Sequence, residues 1–185
     1  MPSRVAAAEP PYAAPIQDRL ARLMPKGLPP LRLFTTLARD QRLFQRCLAG
    51  ALLDAGHLTL RQREIVIGRV TALCGAEYEW GVHIALFAEA AGFRDEHVVS
   101  LVRQGGADPI WSEPECALLR ACDQLHQSCD LDDGHWQALQ RHFSDEAMLE
   151  ILMLAGYYRM ISYLSNALRL PLEPYGVRFP ARTGR

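Results

Sequence analysis

Between Leu33 and Leu168 the apolar residues recur every three or four positions and nowhere alternate with period two over a strand's length. That spacing puts an apolar stripe on each of several helices and leaves nothing from which to build a sheet, so an all-α fold is expected. Leu33, Leu37, Leu43, Phe44, Cys47, Leu48 and Leu52 predict one helix that runs toward Gly56. Thr59 predicts the cap of a second helix over 60–74. Gly75 ends it, and a third runs over about 77–91, closed by Gly92. A short helix is expected over 97–104. Three more follow a loop containing Ser112 and Pro114, over 115–127, 132–142 and 145–168.

The 185 residues, 49% apolar and 22% charged, suffice for one well-buried domain. Seven of the twelve prolines lie in the first thirty residues, which marks 1–30 as an arm with one helical turn around Asp18 to Met24. Either that arm is disordered, or Tyr12, Ile16, Leu20 and Leu23 lie along a neighbouring subunit; the two readings stand level. The helical domain is expected over 31–172, with a tail over 173–185. A net charge of -1 and a pI near 6.6 give no general pull toward nucleic acid or an anionic membrane. The apolar run 148–164 is interrupted by Glu150 and Arg159, and no signal-like apolar stretch follows Met1, so a cytoplasmic protein is expected. Five cysteines, an odd number without CxxC spacing, read as small apolar residues rather than a disulfide framework.

Three ionisable residues then stand out. Glu64, Gly68, Thr71 and Gly75 fall within roughly 40° of one direction on the second helix, and Glu79, His83, Leu86 and Ala90 share a face of the third. A hairpin can bring these faces together. An unpaired carboxylate taken from water costs several kcal/mol, so Glu64, Glu79 and His83 are expected to meet around a pocket. A carboxylate there raises the imidazole pKa while burial lowers it, and the balance suits proton transfer. The plainer alternative is an exposed Glu79–His83 pair at i,i+4 with Glu64 solvated. No metal site is expected: Glu79 with His83 lacks HExxH, and Cys122 with His126 lacks a second soft pair. GxSxG is missing, as is a phosphate-cradling glycine loop, and no cofactor is implied.

Arg63-Glu64, GAEYEWGVH (75–83), AEAAGF (88–93) and EILMLAGYYRMISYLSNAL (150–168) resemble the carboxymuconolactone decarboxylase and alkylhydroperoxidase D-like superfamily over 33–172. The resemblance implies an all-helical fold built around a helical hairpin, assembled as trimers or hexamers, with the pocket near a subunit boundary. The peroxidase branch carries a Glu, a CxxC pair and a His. Glu64 and His83 match, but Ala76 and Glu79 stand at the two cysteine positions. Thiol peroxidase chemistry needs both thiols, so the decarboxylase branch fits better. It implies cofactor-free loss of CO2 from a small cyclic lactone acid; His83 is then the candidate general acid or base, Glu64 and Glu79 orient it, Tyr78 and Trp80 are candidate substrate contacts, and Arg69 is a candidate to bind a substrate carboxylate. Arg159 is a second carboxylate-binding candidate, paired otherwise with a residue such as Glu150, and either Tyr157 or Tyr158 could reach the pocket. The alternatives are a hydroperoxide reductase using a cysteine outside the motif, such as Cys74, and a non-catalytic helical oligomer. The expected partners are a small-molecule substrate and further copies of the chain.

Overall fold

Eight consecutive residues, Glu64 to Thr71, are buried on helix α4 (Leu60–Leu73), which makes it the axis of the molecule. A helix apolar all round must be surrounded. It is: α5 (Glu77–Phe87), α6 (Asp95–Arg103), α7 (Glu113–Ser128) and α9 (Asp145–Leu168) all pack against it. The structure is a computed structural model that describes residues 3–25 and 27–181. The expectations placed on Met1, Pro2, Lys26 and residues 182–185 lie outside the described residues. The remaining helices are α1 (Ala14–Leu23), α2 (Arg32–Leu37), α3 (Gln41–Ala49) and α8 (Asp133–Gln140), with a single 3-10 turn at Gly105–Ala107; no strand occurs among the described residues.

Local chemistry sets the hairpin. Thr59 accepts from the Gln62 backbone N–H while Gln62 Oε1 accepts from the Thr59 N–H, a reciprocal cap that starts α4. Gly75 turns the chain in the left-handed region at φ +62, and Ala76 N–H reaches back to the Thr71 carbonyl. The face of α4 that carries Glu64 and Gly68 is shared between α5 and α6. A Cβ on Gly68 would lie 2.9 Å from Leu101 Cδ1, so α6 packs at Gly68, while Glu64 reaches α5.

The helix expected to run unbroken from Leu33 to Leu52 is two. Asp40 accepts from the Leu43 N–H and caps α3, so the chain breaks between α2 and α3 although the apolar stripe continues in register. The third helix ends at Phe87, and Gly92 at φ +68 closes the turn that follows.

Residues 3–24 lie along their own chain. Ile16 and Leu20 on the ten-residue α1 are buried against Ala38 and Phe44. The Ala8 N–H donates to the Thr35 carbonyl and Arg4 N–H to Leu168. The segment after α9 is a strap across α5. There Val177 N–H donates to the Gly81 carbonyl, Phe179 packs 4.9 Å from Trp80, and the buried Glu173 accepts from Tyr78 Oη and from Arg32 N–H, each at 2.6 Å.

Arg159 donates to Tyr163 Oη and to the Leu125 and His126 carbonyls rather than to Glu150, which accepts from the His57 N–H. All five cysteines are free thiols. Among the described residues no helix is long and apolar enough to cross a membrane.

Candidate active site

Glu64 and His83 are 2% and 5% exposed, and they meet across the α4–α5 hairpin with Nδ1 and Oε2 2.8 Å apart. A carboxylate can only accept, so Nδ1 carries the proton and donates it. Glu79, one turn before His83 on α5, places Oε1 3.6 Å from the other ring nitrogen, Nε2. That is longer than a hydrogen bond, so Nε2 is uncommitted. The second oxygen of Glu64 accepts from Arg63 Nε at 3.2 Å, and Arg63 Nη1 donates to the Leu53 carbonyl at 2.9 Å. Tyr158 stands edge-on to the imidazole at 5.0 Å, and Phe87 lies tilted at 5.3 Å.

His83 and Glu79 open onto a cavity of about 440 Å³, a size ordinary for small-molecule sites. Its walls are mostly apolar: Leu33 and Phe34 from α2, Leu86 and Phe87 from α5 and Tyr157 and Tyr158 from α9, with Arg19 and Leu23 of α1 at the mouth. Tyr157 Oη donates to the Cys47 carbonyl at 2.9 Å and lies 3.4 Å from its Sγ. A larger, open cleft of about 750 Å³ between α7 and α8 presents Arg120, Asp132, His135 and Arg141. It contains no buried side-chain polar atom lacking a partner, whereas the smaller cavity does.

Burial by itself pulls the His83 pKa down. The Glu64 charge and hydrogen bond, with Glu79 beside them, outweigh that loss and leave it raised to about 9. The ring is therefore an imidazolium at neutral pH. Because the folded pKa lies above the unfolded value, this charge stabilises the fold fully below about pH 6.5, and the contribution is lost as pH rises through about 9. Thermal stability is expected to fall between pH 7 and 9.5, and His83→Gln should flatten that part of the curve. Because buried Cys47 and Cys122 thiols, both raised by burial, also destabilise the fold at high pH, the comparison with the variant isolates His83.

The structure brings Glu64, Glu79 and His83 together and withdraws the other three sequence candidates from the cavity wall. Tyr78 and Trp80 project roughly 120° and 80° to either side of the Glu79–His83 face. Tyr78 Oη instead donates to Glu173 and accepts from the Leu33 N–H, and Trp80 lies fully buried beneath Phe179. Arg69, roughly 140° around α4 from Glu64, is held by Asp123 at 2.6 Å and by the Leu101 carbonyl at 2.8 Å, with its guanidinium packed on Gly105. Two residues with a place at the site, Arg63 and Arg19, have no role in the sequence reading, and Leu23, placed there in the arm, lines the cavity of its own chain. Arg63 is signalled by its position beside Glu64; Arg19 has no signal, because it arrives only when α1 docks. Among the described residues no group of three His, Cys, Asp or Glu side chains is placed to hold a metal ion.

Residues 41–123, from α3 through most of α7, match the carboxymuconolactone decarboxylase family, and all three site residues fall within that span. No curated protein matches the chain. The fold is that of an uncharacterized peroxidase-related protein from Silicibacter sp. TM1040, at a TM-score of 0.79 and 15% identity over 94% of each chain. An alkylhydroperoxidase AhpD-core protein from Ralstonia eutropha JMP134 superposes at a TM-score of 0.79 and 16% identity over 93% of each chain. The debrominase Bmp8, in complex with 2,3,4-tribromopyrrole, superposes at 0.69 and 16% identity over 95% of this chain and 94% of that one. Over residues 41–123, which hold Glu64, Glu79 and His83, the chain is thus similar to the carboxymuconolactone decarboxylase family, and its all-helical fold is that of alkylhydroperoxidase D-like proteins.

Proposed function

We propose that the protein catalyses cofactor-free proton transfer on a small molecule bound in the α2–α5–α9 cavity, with His83 as the general acid and base. The observation that carries this reading is an imidazole whose Nδ1 is fixed by a buried carboxylate while Nε2 faces a cavity with no hydrogen bond of its own. Glu64 locks the tautomer and ring orientation, and Arg63 holds Glu64. The imidazolium gives its Nε2 proton to substrate carbon or oxygen; the neutral ring, still hydrogen-bonded through Nδ1–H, takes one back. Positioned acid–base catalysis of this kind contributes about 10²- to 10⁴-fold. In the reaction for which the family is named, the C–C bond electrons left by departing CO2 form an enolate, and His83 would deliver the proton that quenches it at carbon. Apolar walls strengthen each of these interactions by excluding water.

A thiol peroxidase is less well supported. Ala76 and Glu79 occupy the cysteine positions, and Cys47, whose sulfur lies 3.4 Å from Tyr157 Oη, has its thiol pKa raised by burial, which keeps it protonated. The α9 residues Leu149, Met153, Met160 and Tyr163 form an exposed stripe that supports self-association, as a trimer or hexamer, as part of the same reading.

Solvent deuterium incorporation, followed by NMR over a panel of small cyclic ketones, lactones and phenols that includes carboxymuconolactone, tests the proposal. Exchange above the buffer rate is expected for at least one member, and because abstraction of a substrate proton needs the neutral ring, the rate should rise with pH and level off above about pH 9. Glu64→Gln removes the charge that raises the His83 pKa, so the levelling-off should come at least one pH unit lower. A panel exchanging only at the buffer rate would leave a non-catalytic assembly as the better reading.

A further inference from the structure

Glu79 Oε2 is buried, and among the described residues no hydrogen-bond donor reaches it. Glu79 as a whole is 5% exposed, and it lines the 440 Å³ cavity. A buried carboxylate oxygen with no donor is costly in a folded protein, and such groups mark places where a partner is missing. His83 does not supply that partner, because its Nε2 lies 3.6 Å from the other oxygen, Oε1. Tyr157 does not supply it either, since its hydroxyl proton is given to the Cys47 carbonyl. Apart from His83 the rest of the chamber is aliphatic, methionine and aromatic side chain, and the other charged groups on its wall, Arg19 and Asp54, are exposed.

The geometry points to a ligand that is neutral and mainly apolar, of ring size, and that carries one O–H or N–H group which donates to Glu79 Oε2. A free carboxylate is the wrong chemistry for the chamber floor: it brings acceptors to an oxygen that already needs a donor, beside a second carboxylate. The cation that faces the chamber, the His83 imidazolium, already has its charge balanced by Glu64 and Glu79 at 2.8 and 3.6 Å, and Arg63 is spent on Glu64 and the Leu53 carbonyl. Phenols, enols, alcohols and N–H heterocycles share the required donor. This inference rests on the proton-transfer reading for the identity of the site but not for its test, which measures binding alone.

The experiment is isothermal titration of the full-length protein at pH 7 with three probes of one shape: 4-ethylphenol, its O-methyl ether 4-ethylanisole, and 4-ethylbenzoate. The expected order places the phenol first, at least ten-fold tighter than the ether, as a single hydrogen bond to a charged acceptor should give. The benzoate is expected to bind weaker than the phenol. Glu79→Leu, with its helicity checked by circular dichroism, should bring phenol and ether within about three-fold of each other, and Glu79→Gln should fall between. Equal affinity of phenol and ether in the wild type would overturn the inference, as would tightest binding by the benzoate, lost on Arg19→Ala, or binding by none of the three. A protein that binds the phenol yet exchanges no deuterium keeps the ligand class and loses the chemistry, so the two failures are distinguishable.

Discussion

His83→Gln is expected to cut solvent-proton exchange by about 10²- to 10⁴-fold while leaving far-ultraviolet circular dichroism and assembly unchanged. Glutamine is the appropriate replacement because its amide N–H can still donate to Glu64, 2.8 Å from the native Nδ1. Alanine would strand that carboxylate with Arg63 alone, and breaking a buried pair costs about 3–5 kcal/mol, which would confuse loss of chemistry with loss of fold. The amide does not titrate near neutrality, so whatever survives in the variant is catalysis by the cavity without a proton donor. Retention of exchange within a few-fold of wild type would remove His83 from the reaction.

The second large effect is structural and comes from Gly81→Ala. A Cβ at this position would lie 2.1 Å from the Val177 carbonyl oxygen and 3.1 Å from its nitrogen, both backbone atoms that no rotamer change can move away. The strap must lift. With it go the Val177–Gly81 hydrogen bond, the Phe179 ring over Trp80 and the Phe179 N–H bond to Glu77. Trp80 is fully buried beneath that strap, and exposing an aromatic ring together with the overpacking is worth about 3 kcal/mol or more. For a chain of this length that corresponds to a fall of roughly 6–12 °C in Tm. Limited proteolysis should find residues 173–181 newly cleavable. Gly156→Ala provides the contrast: it adds a methyl mid-helix where nothing lies within 4 Å, and is expected to be neutral or stabilising by up to about 1 kcal/mol. Equal Tm values for the two variants would mean that the strap does not bear on α5.

Where pattern and cap agree, the helices were legible from the amino acids alone. The limits 145–168 follow from twenty-four periodic residues, and the start of α4 from the Thr59 cap. Where a tertiary contact interrupts a continuing pattern they were not. Leu37 and Leu43 lie on one stripe, and only the Asp40 side chain, bonding the Leu43 N–H, divides α2 from α3. The same holds for the site. Glu64, Glu79 and His83 meet because two helices joined by one glycine turn have few ways to pack, and helical spacing identifies the facing residues. The walls, by contrast, come from α1, α2 and α9, brought in by folding from distant parts of the chain. Arg69 illustrates the limit most clearly: beside Gly68 and five residues from Glu64 it resembles a substrate contact, but its carboxylate partner, Asp123, is on α7 and invisible until the bundle closes.

The central claim is that His83 is a charged imidazole held between two buried carboxylates. Titration of the His83 ring by ¹⁵N-resolved NMR from pH 5 to 10.5, with assignment by His83→Gln, measures this directly. The account requires the imidazolium to persist through neutrality with a midpoint near pH 9, and the neutral ring to keep its proton on Nδ1. A midpoint at or below 6.5, or a neutral ring protonated on Nε2, would contradict it.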